Sequence, residues 1–315
     1  MSRVLILSPH PDDAVLSCGG RIAQTVEAGG AVMVATCFTS PGEGVAEELQ
    51  GLYEGRRADD AAVMGWLGVE FRHWGFVDAP FRNAAYYNFN TILFHHDFPP
   101  EERTLVQSLG KRVLALVEEW RPDEVLFPLG VGGHIDHHLV WESSKALWGA
   151  AAGSAGDAIR AIGYYEELPY ALIPGWSAVR WNELGGRMEL RGSDQPSGNS
   201  QKMNLLEVPY PFVKNYMPSG EDRVRSVDKY NREYGRLSDG MWDSGLWTLD
   251  GVLFARNLYQ MSDRYLADKC RAIAGYHSEW PVLFGPEEGT ILRMLAGTMN
   301  ATDYTEISWT LKTTQ

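Results

Sequence analysis

The sequence predicts an α/β fold, a Rossmann-like three-layer structure with a mostly parallel sheet and an elaborated C-terminal region. Short apolar runs without polar alternation are typical of strands buried on both faces. In the first half of the chain these runs alternate with longer helical patterns. Such alternation predicts right-handed βαβ crossovers, which place the strands parallel to one another.

The predicted elements follow one another without long interruptions in this half. The predicted strands are Val4 to Leu7, Val32 to Cys37, Val69 to His73 and Glu124 to Phe127, and the predicted helices are Leu16 to Ala28, Val45 to Leu67 and Glu102 to Trp120. The pair Gly29-Gly30 is typical of a helix C-terminus. The segment Ser8 to Asp13 stands where a dinucleotide-binding fold has its G-x-G-x-x-G turn, which argues against an NAD site.

The pattern weakens beyond residue 170. The polar stretch Arg191 to Lys202 predicts a long loop, Tyr265 to Ala274 a helix and Glu306 to Leu311 a closing strand. Trp242 and Trp247 lie in a glycine-containing segment and are candidate platforms for a sugar ring. We expect one domain over residues 1–315, with a Rossmann-like core at 1–170 and a C-terminal elaboration at 171–315 that shapes a substrate pocket.

Composition excludes several classes of partner. The chain has 28 Lys and Arg against 41 Asp and Glu, a net charge of −13, which repels nucleic acids and anionic membranes. Its three cysteines form no CxxC pair, which excludes a disulfide framework and a thiolate zinc site. The first apolar run is too short for a signal peptide, and no segment reaches the roughly 18 apolar residues of a membrane span. We expect a cytoplasmic protein without a nucleic-acid partner or stable membrane anchor, and its oligomeric state stays open.

A first cluster of reactive side chains, His10-Pro11-Asp12-Asp13, follows the first predicted strand. In open α/β sheets, ligands bind at this end of the strands. His10 and Asp13 are three residues apart and can face the same way, so they can hold one metal and leave Asp12 free as a base. The alternative is a proline turn in which an aspartate caps the next helix.

A second cluster, Gly132 to His138, follows the predicted strand Glu124 to Phe127. Its histidines His134 and His137 can converge at a helix start, and Asp136 between them can orient a ring nitrogen. Alone, such a loop is often polar surface. Together, the two clusters supply two histidines and one aspartate at one sheet edge, and three ligands with an open position describe a catalytic metal site.

The two clusters resemble the motifs of the PIG-L (LmbE-like) family of metal-dependent N-deacetylases. The resemblance rests on SPHPDDAVLSCGG (Ser8 to Gly20) and PLGVGGHIDH (Pro128 to His137), with weaker matches at Arg56 to Asp59, Gly75 to Asp78, Tyr164 to Tyr170 and Tyr276 to Glu279. Ala14, Asp59 and Glu279 depart from the family pattern, and none of these departures removes a metal ligand.

The resemblance implies a role for each matched residue. It makes His10, Asp13 and His137 the metal ligands, Asp12 the general base and His134 a second catalytic group that stabilises the oxyanion or protonates the leaving amine. Arg56 and Asp78 align with positions that contact the polar substrate. A surface ion-pair face for Arg56 and a turn for Asp78 are the alternatives.

These expectations combine into one hypothesis about function. Hydrolysis of an amide at neutral pH needs a metal that activates water, a base such as Asp12 and a cationic His134 facing the oxyanion. Zinc is the expected metal, and Fe(II) also suits two histidines and one carboxylate. We expect a hydrolase that removes an N-acyl group, most simply acetyl, from an amino sugar or its conjugate. The alternatives are an amidase of another N-acyl intermediate in secondary metabolism and a non-catalytic metal- or sugar-binding module.

Overall fold

The fold is built around a single large sheet. The computed structural model describes residues 1–86, 100–148, 159–173, 175–189, 210–216, 220–237, 244–287, 289–297 and 304–312. The strands within these ranges are β1 (Arg3–Ser8), β2 (Ala31–Ser40), β3 (Glu70–Val77), β4 (Glu124–Pro128), β5 (Ala161–Tyr165), β6 (Arg187–Met188), β7 (Leu246–Leu249), β8 (Val252–Met261) and β9 (Tyr304–Lys312). They pair in the order β3-β2-β1-β4-β5-β9-β8-β7-β6.

The sheet has a parallel part and an antiparallel part. Strands β3, β2, β1, β4 and β5 are parallel, with β1 paired to β2 on one side and to β4 on the other. Strands β9, β8, β7 and β6 extend the sheet beyond β5 in antiparallel pairing. The strand order reverses at β1, and this topological switch point is where open α/β sheets bind ligands. The predicted α/β fold class is confirmed.

Helices flank this sheet. They are α1 (Asp13–Glu27), α2 (Glu47–Leu67), α3 (Ala79–Arg82), α4 (Pro100–Trp120), α5 (Ile135–Ser143), α6 (Lys145–Trp148), α7 (Trp176–Glu183), α8 (Pro211–Tyr216), α9 (Gly220–Gly235), α10 (Asp263–Ala274), α11 (Trp280–Phe284) and α12 (Gly289–Gly297). Helix α1 packs against α2 and α10, and α4 packs against α5 and α6. The apolar side chains of β1, β2 and β4 are almost wholly buried beneath them, as their uninterrupted apolar sequences predict.

All seven elements predicted in the first half are present. Helix α1 starts three residues earlier than predicted, β2 continues to Ser40 and β3 to Val77. The predicted C-terminal helix and strand correspond to α10 and β9. Strands β5 to β8 were not predicted, because β5, β6 and β7 are short and most side chains of β8 are only partly buried, so they lack a strong apolar pattern.

Two C-terminal expectations have different outcomes. Trp247 is not a sugar platform, because it is buried and stacks on Trp181 with ring centroids 5.9 Å apart and an angle of 10° between the rings. That prediction was wrong because the hairpin of β7 and β8 turns the indole into the core. Trp242 and the predicted loop Arg191 to Lys202 lie outside the described residues.

None of the described helices is both long enough and apolar enough to cross a lipid bilayer. The cytoplasmic location stays a prediction, and so does the division into a core at 1–170 and an elaboration at 171–315.

Candidate active site

The predicted site residues meet in one cavity at the switch point of the sheet. The cavity has a volume of about 330 Å³, and its lining includes every predicted ligand, catalytic and substrate-contacting residue: His10, Asp12, Asp13, Arg56, Asp78, His134 and His137. Strands β1, β3 and β4 deliver these residues at their carboxyl ends, and α2 contributes Arg56. Parallel strands end at the same edge of a sheet, so segments distant in sequence converge there.

A tight turn after β1 presents the first cluster. The Ser8 hydroxyl donates to the His10 carbonyl at 2.7 Å and accepts from the Ala14 N–H at 3.0 Å. Asp12 has φ of 98°, a conformation that non-glycine residues seldom adopt. This turn directs the Asp12 carboxylate into the cavity instead of into a capping hydrogen bond, since no side-chain cap forms at the start of α1.

A glycine-rich loop after β4 presents the second cluster. Gly130, Gly132 and Gly133 have φ between 76° and 90°, which side chains with a Cβ rarely adopt. At Gly132 a Cβ would lie 2.5 Å from Cγ of Tyr170, so only glycine fits there. The loop ends at His134, the N-cap of α5, and the first turn of α5 then carries Asp136 and His137.

Two histidine nitrogens point at the same carboxylate oxygen. His10 Nδ1 lies 3.2 Å and His137 Nε2 lies 3.3 Å from Asp13 Oδ2. Ligands about 2.0–2.1 Å from a tetrahedral zinc ion are separated by roughly 3.3 Å, so the spacing suits such an ion. A histidine nitrogen whose electron pair faces a carboxylate oxygen is repelled by it. Such a contact is favourable only when a proton or a cation lies between the nitrogen and the oxygen. His10, Asp13 and His137 therefore fit a divalent metal.

The electrostatics of the site agree with this fit. Burial lowers the pKa of His137, but the carboxylates of Asp13 and Glu167 outweigh this effect and raise the pKa to about 9. The pKa of His10 is raised as well, because Asp78, Asp13 and Asp136 outweigh the effect of its burial. Conversely, the pKa of Asp13 lies far below its ordinary range, since His137 and His10 outweigh its burial. The site thus holds positive charge around Asp13.

Each candidate ligand histidine has a second carboxylate on its outer nitrogen. Asp136 Oδ2 lies 3.2 Å from His10 Nε2, and Glu167 Oε1 lies 3.3 Å from His137 Nδ1. Asp136 was predicted to orient a ring nitrogen, and the structure places it on His10. Glu167 was missed as a site residue. Two signals were available: its place directly after the apolar run Ala161–Tyr165, which forms β5 beside β4, and the weaker family match over Tyr164 to Tyr170.

Besides the trio of His10, His134 and His137, the described residues offer another group of possible metal donors, formed by His10, Asp78 and Asp136. Its two carboxylates already have cationic or hydroxyl partners, because Arg82 donates to Asp136 Oδ1 at 2.6 Å and Tyr53 donates to Asp78 Oδ2. These two carboxylates therefore lie beside His10 Nε2, whereas His10 Nδ1 faces Asp13.

Asp12 has the environment of a proton acceptor. It is buried, and the described residues donate no hydrogen bond to its carboxylate. Burial and the nearby charges of Asp13 and Glu279 raise its pKa well above the ordinary value. A carboxylate of raised basicity takes up a proton more readily at neutral pH.

His134 differs from the expected cation. Its Nδ1 accepts the backbone N–H of Asp136 at 3.2 Å, so that nitrogen carries no proton. Burial and the neighbouring rings of His10 and His137 lower its pKa well below 6.5. These two observations favour a neutral His134 imidazole with its proton on Nε2 over the expected cation.

Arg56 and Asp78 both line the cavity, and both lie beside Tyr53. Arg56 forms an ion pair with Glu279, Nε to Oε1 2.5 Å, and its guanidinium lies 5.1 Å from the ring centroid of Tyr53. Asp78 is held by Tyr53 and lies 3.5 Å from His10 Nε2. Glu279, singled out only as a departure from the family pattern, is thus part of the wall.

Comparisons with known proteins agree with the motifs. Residues 5–147 match the PIG-L family, described as GlcNAc-PI de-N-acetylase. The chain is 33% identical over 175 residues to 2'-N-acetylparomamine deacetylase of Streptomyces fradiae, a stretch that spans 54% of this chain and 58% of that relative.

Solved structures show the same fold over nearly the whole chain. A zinc-inhibited form of teicoplanin deacetylase has a TM-score of 0.60 at 18% identity, covering 100% of this chain and 99% of that one. A deacetylase of A40926 pseudoaglycone has a TM-score of 0.60 at 20% identity, covering 99% and 97%. The family match contains both motifs of the site, so the resemblance to the PIG-L family is confirmed over residues 5–147.

Proposed function

We propose that this protein is a metal-dependent hydrolase that removes an N-acetyl group from an amino sugar or amino-sugar conjugate, releasing the free amine and acetate. The observation that carries the proposal is the convergence of both motif clusters in one cavity, with His10, Asp13 and His137 spaced for a metal and Asp12 beside them. The relative from Streptomyces fradiae, a deacetylase of an N-acetylated amino-sugar compound, supports the reaction type.

The metal would be held by His10 Nδ1, Asp13 Oδ2 and His137 Nε2. When bound, it supplies Lewis acidity that polarises the amide carbonyl and lowers the pKa of water. We propose zinc, with Fe(II) as the alternative that the same donors suit. A set of three protein ligands would leave a coordination position for water or substrate, which is typical of catalytic metal sites.

We assign Asp12 the role of general base. Its buried carboxylate takes a proton from the attacking water as the oxygen adds to the amide carbon. The same group, now protonated, is the proton donor to the amine nitrogen as the C–N bond breaks. This second step falls to Asp12 because neutral His134 would have to become an imidazolate if it gave up its remaining proton.

We assign His134 the role of oxyanion donor. Because its Nδ1 accepts the backbone N–H of Asp136, its Nε2–H is free to donate a hydrogen bond. That hydrogen bond strengthens as negative charge develops on the carbonyl oxygen. The N-cap position fixes the ring, so the donor is oriented before the substrate binds.

The wall of the cavity favours a polar, positively charged substrate. Asp12, Asp13, Asp78 and Glu279 contribute four carboxylates to the lining, against the single arginine Arg56 and the charge of a bound metal. The whole chain has a net charge of −13, which attracts cationic molecules. We propose that Arg56 and Asp78 contact hydroxyl groups of a sugar that carries free ammonium groups elsewhere.

A second candidate is an amidase for a longer acyl group. Apolar side chains of Leu16, Leu52, Phe81 and Leu283 line the same cavity and could cover an acyl chain. Rates with N-acetyl and N-octanoyl forms of one amino sugar distinguish the two. Faster release of acetate supports the deacetylase, and faster release of the longer acid supports the amidase.

The first test combines metal content with turnover. Protein purified without added metal or a histidine tag should contain about one zinc or iron ion per chain by elemental analysis, and His137→Ala should lose it. Asp12→Asn should retain the metal and lose at least about 10²-fold in acetate release, because the variant lacks the base. Zinc is titrated from below one equivalent, since a protein of the same fold is described as zinc-inhibited.

Three results would contradict the proposal or one of its parts. Absence of bound metal even after zinc addition would remove its basis. Near-normal activity of Asp12→Asn would show that the assigned base is wrong. Tight sugar binding without release of any acid would favour the binding module.

A further inference from the structure

A fully buried carboxylate lies behind the cavity, where no substrate can reach it. Glu167 has no solvent exposure and is not part of the cavity lining. It accepts the backbone N–H groups of Gly130 at 2.5 Å and Val131 at 3.0 Å. Its third contact is His137 Nδ1, 3.3 Å from Oε1. One side chain thus connects the glycine-rich loop to a candidate metal ligand.

The chemistry of these contacts decides where protons lie. A backbone N–H can only donate, so Glu167 serves as acceptor at Gly130 and Val131. A carboxylate that accepts at both oxygens presents an acceptor to His137 as well, which requires the proton on Nδ1. The other nitrogen, Nε2, is then left with its electron pair on the side of Asp13 Oδ2.

We propose that Glu167 is a positioning residue that holds His137 in its Nδ1–H tautomer and so directs the Nε2 electron pair to a divalent metal ion. This inference rests on the metal site of the proposed function and deepens it. Glu167 lies beyond residue 147, where the PIG-L match ends. The metal site is therefore completed by a strand and turn outside the matched segment.

The glycine-rich loop is also held by a buried arginine. The buried guanidinium of Arg180 donates from Nε to the carbonyl of Leu129 at 2.9 Å, at the start of the glycine-rich loop. Arg180 and Glu167 thus hold successive main-chain groups of the loop, one by its carbonyl and one by its N–H groups. Because the loop leads directly into α5, contacts that hold the loop in place also fix the direction in which the His137 side chain projects from α5.

The test replaces the carboxylate by an amide of the same size. In Glu167→Gln the amide has one acceptor oxygen and one donor nitrogen, so it cannot accept at all three positions. If its nitrogen faces His137, it donates to Nδ1 and favours the tautomer whose proton occupies Nε2. If it faces Val131, two donors oppose each other in the loop. Both orientations disturb the ligand.

The matched control is Glu166→Gln. Glu166 is the neighbouring buried carboxylate and accepts from Trp309 Nε1 at 2.9 Å, away from the cavity. The substitution Glu166→Gln removes one negative charge from the same turn, as Glu167→Gln does. Zinc affinity is measured for wild type and both variants by chelator competition on folded, metal-stripped protein. We expect about 10- to 100-fold weaker zinc binding for Glu167→Gln and a change within about threefold for Glu166→Gln.

Several outcomes are decisive. Zinc affinity of Glu167→Gln within about twofold of wild type would overturn the proposal, even if the variant were less stable, since a purely structural role lowers stability without changing affinity. Equal losses in both variants would also overturn it. Wild-type protein that binds no zinc would instead reject the proposed function itself.

A second measurement covers the case in which Glu167→Gln does not fold. Long-range ¹H–¹⁵N spectra of zinc-loaded wild type, assigned with His137→Gln, report which imidazole nitrogen carries the proton. A proton on Nδ1 of His137 supports the proposal, and a proton on Nε2 with metal at Nδ1 overturns it.

Discussion

At the scale of single residues, the main property of the site is which ring nitrogens of His10 and His137 carry protons. His10 and His137 use one ring nitrogen each toward Asp13 and the other toward a separate buried carboxylate. In metal sites, an outer carboxylate on a ligand imidazole raises its basicity and fixes its orientation. Metal binding at the proposed site should therefore depend on pH, because protons and a metal ion would compete for the same electron pairs.

We expect the metal-free protein to lose stability between pH 6.5 and pH 9. The pKa of His137 is raised from 6.5 to about 9 in the folded protein, so its contribution is fully present below pH 6.5 and is lost as the pH rises through 9. The loss should be on the order of 1–3 kcal/mol in free energy of unfolding. Urea denaturation of chelator-treated protein at both pH values measures it.

Saturating zinc should reverse this dependence, because metal binding requires a neutral imidazole at His137. The variant His137→Gln provides the control, since its metal-free stability should change less over the same pH range. A metal-free wild type that becomes more stable from pH 6.5 to 9 would contradict the assigned charge on His137.

At the scale of elements, the segment between α10 and α11 is attached to one face of α2. Tyr276 donates to Asp60 Oδ1 at 2.8 Å, the His277 N–H donates to Asp59 Oδ2 at 2.9 Å, and Glu279 pairs with Arg56. Positions 56, 59 and 60 share a helix face because they are three and four residues apart. These contacts place Glu279 in the cavity wall.

Of these three contacts, the buried hydrogen bond from Tyr276 to Asp60 should contribute most to the free energy of unfolding. Tyr276→Phe removes a hydrogen bond to a buried carboxylate, and we expect it to lower the free energy of unfolding by about 1.5–3 kcal/mol. Tyr265→Phe is the matched control, because Tyr265 donates to Glu27 at 2.6 Å on the exposed surface. Its loss should stay within about 0.5 kcal/mol.

Chemical denaturation of both tyrosine variants gives the comparison. Equal losses for the two would show that burial of Tyr276 adds nothing to this contact. A larger KM for Tyr276→Phe with unchanged kcat would further indicate that the segment orients the wall and does not take part in the chemistry.

At the scale of the whole molecule, the C-terminal part is joined to the first helix by a buried charge cluster. Glu306 on β9 accepts the N–H groups of Gly20 and Arg21 and the Lys269 ammonium group, each at 2.8 Å. A Cβ on Gly20 would lie 1.7 Å from Met261 Sδ, so a larger residue at position 20 would require the Met261 side chain to move. The single domain over residues 1–315 stays a prediction.

We expect Lys269→Met to cost about 3–5 kcal/mol in free energy of unfolding, because it leaves the Glu306 carboxylate buried without its counter-charge. Arg293→Met is the control, since the Arg293–Glu287 pair at 3.2 Å is exposed and should contribute under about 1 kcal/mol. Urea denaturation followed by fluorescence and circular dichroism provides both values. Two separate transitions in wild type would contradict a single domain.

The sequence by itself determined the α/β class, the elements of the first half and the place of both motif clusters. These features depend on local patterns: apolar runs mark strands buried on both faces, and a motif directly after a strand lies at the ligand-binding end of a parallel sheet. For this reason the predicted ligands His10, Asp13 and His137 could be expected at one site before their distances were known.

Only the tertiary structure decided which nitrogen of each histidine faces Asp13, that Glu167 supports His137 and that Glu279 joins Arg56. It also decided the antiparallel extension from β5 to β6 and the burial of Trp247. These contacts join residues far apart in sequence, such as Asp60 and Tyr276, separated by 216 positions. Their energies depend on packing and desolvation in the folded chain, and no local periodicity encodes that.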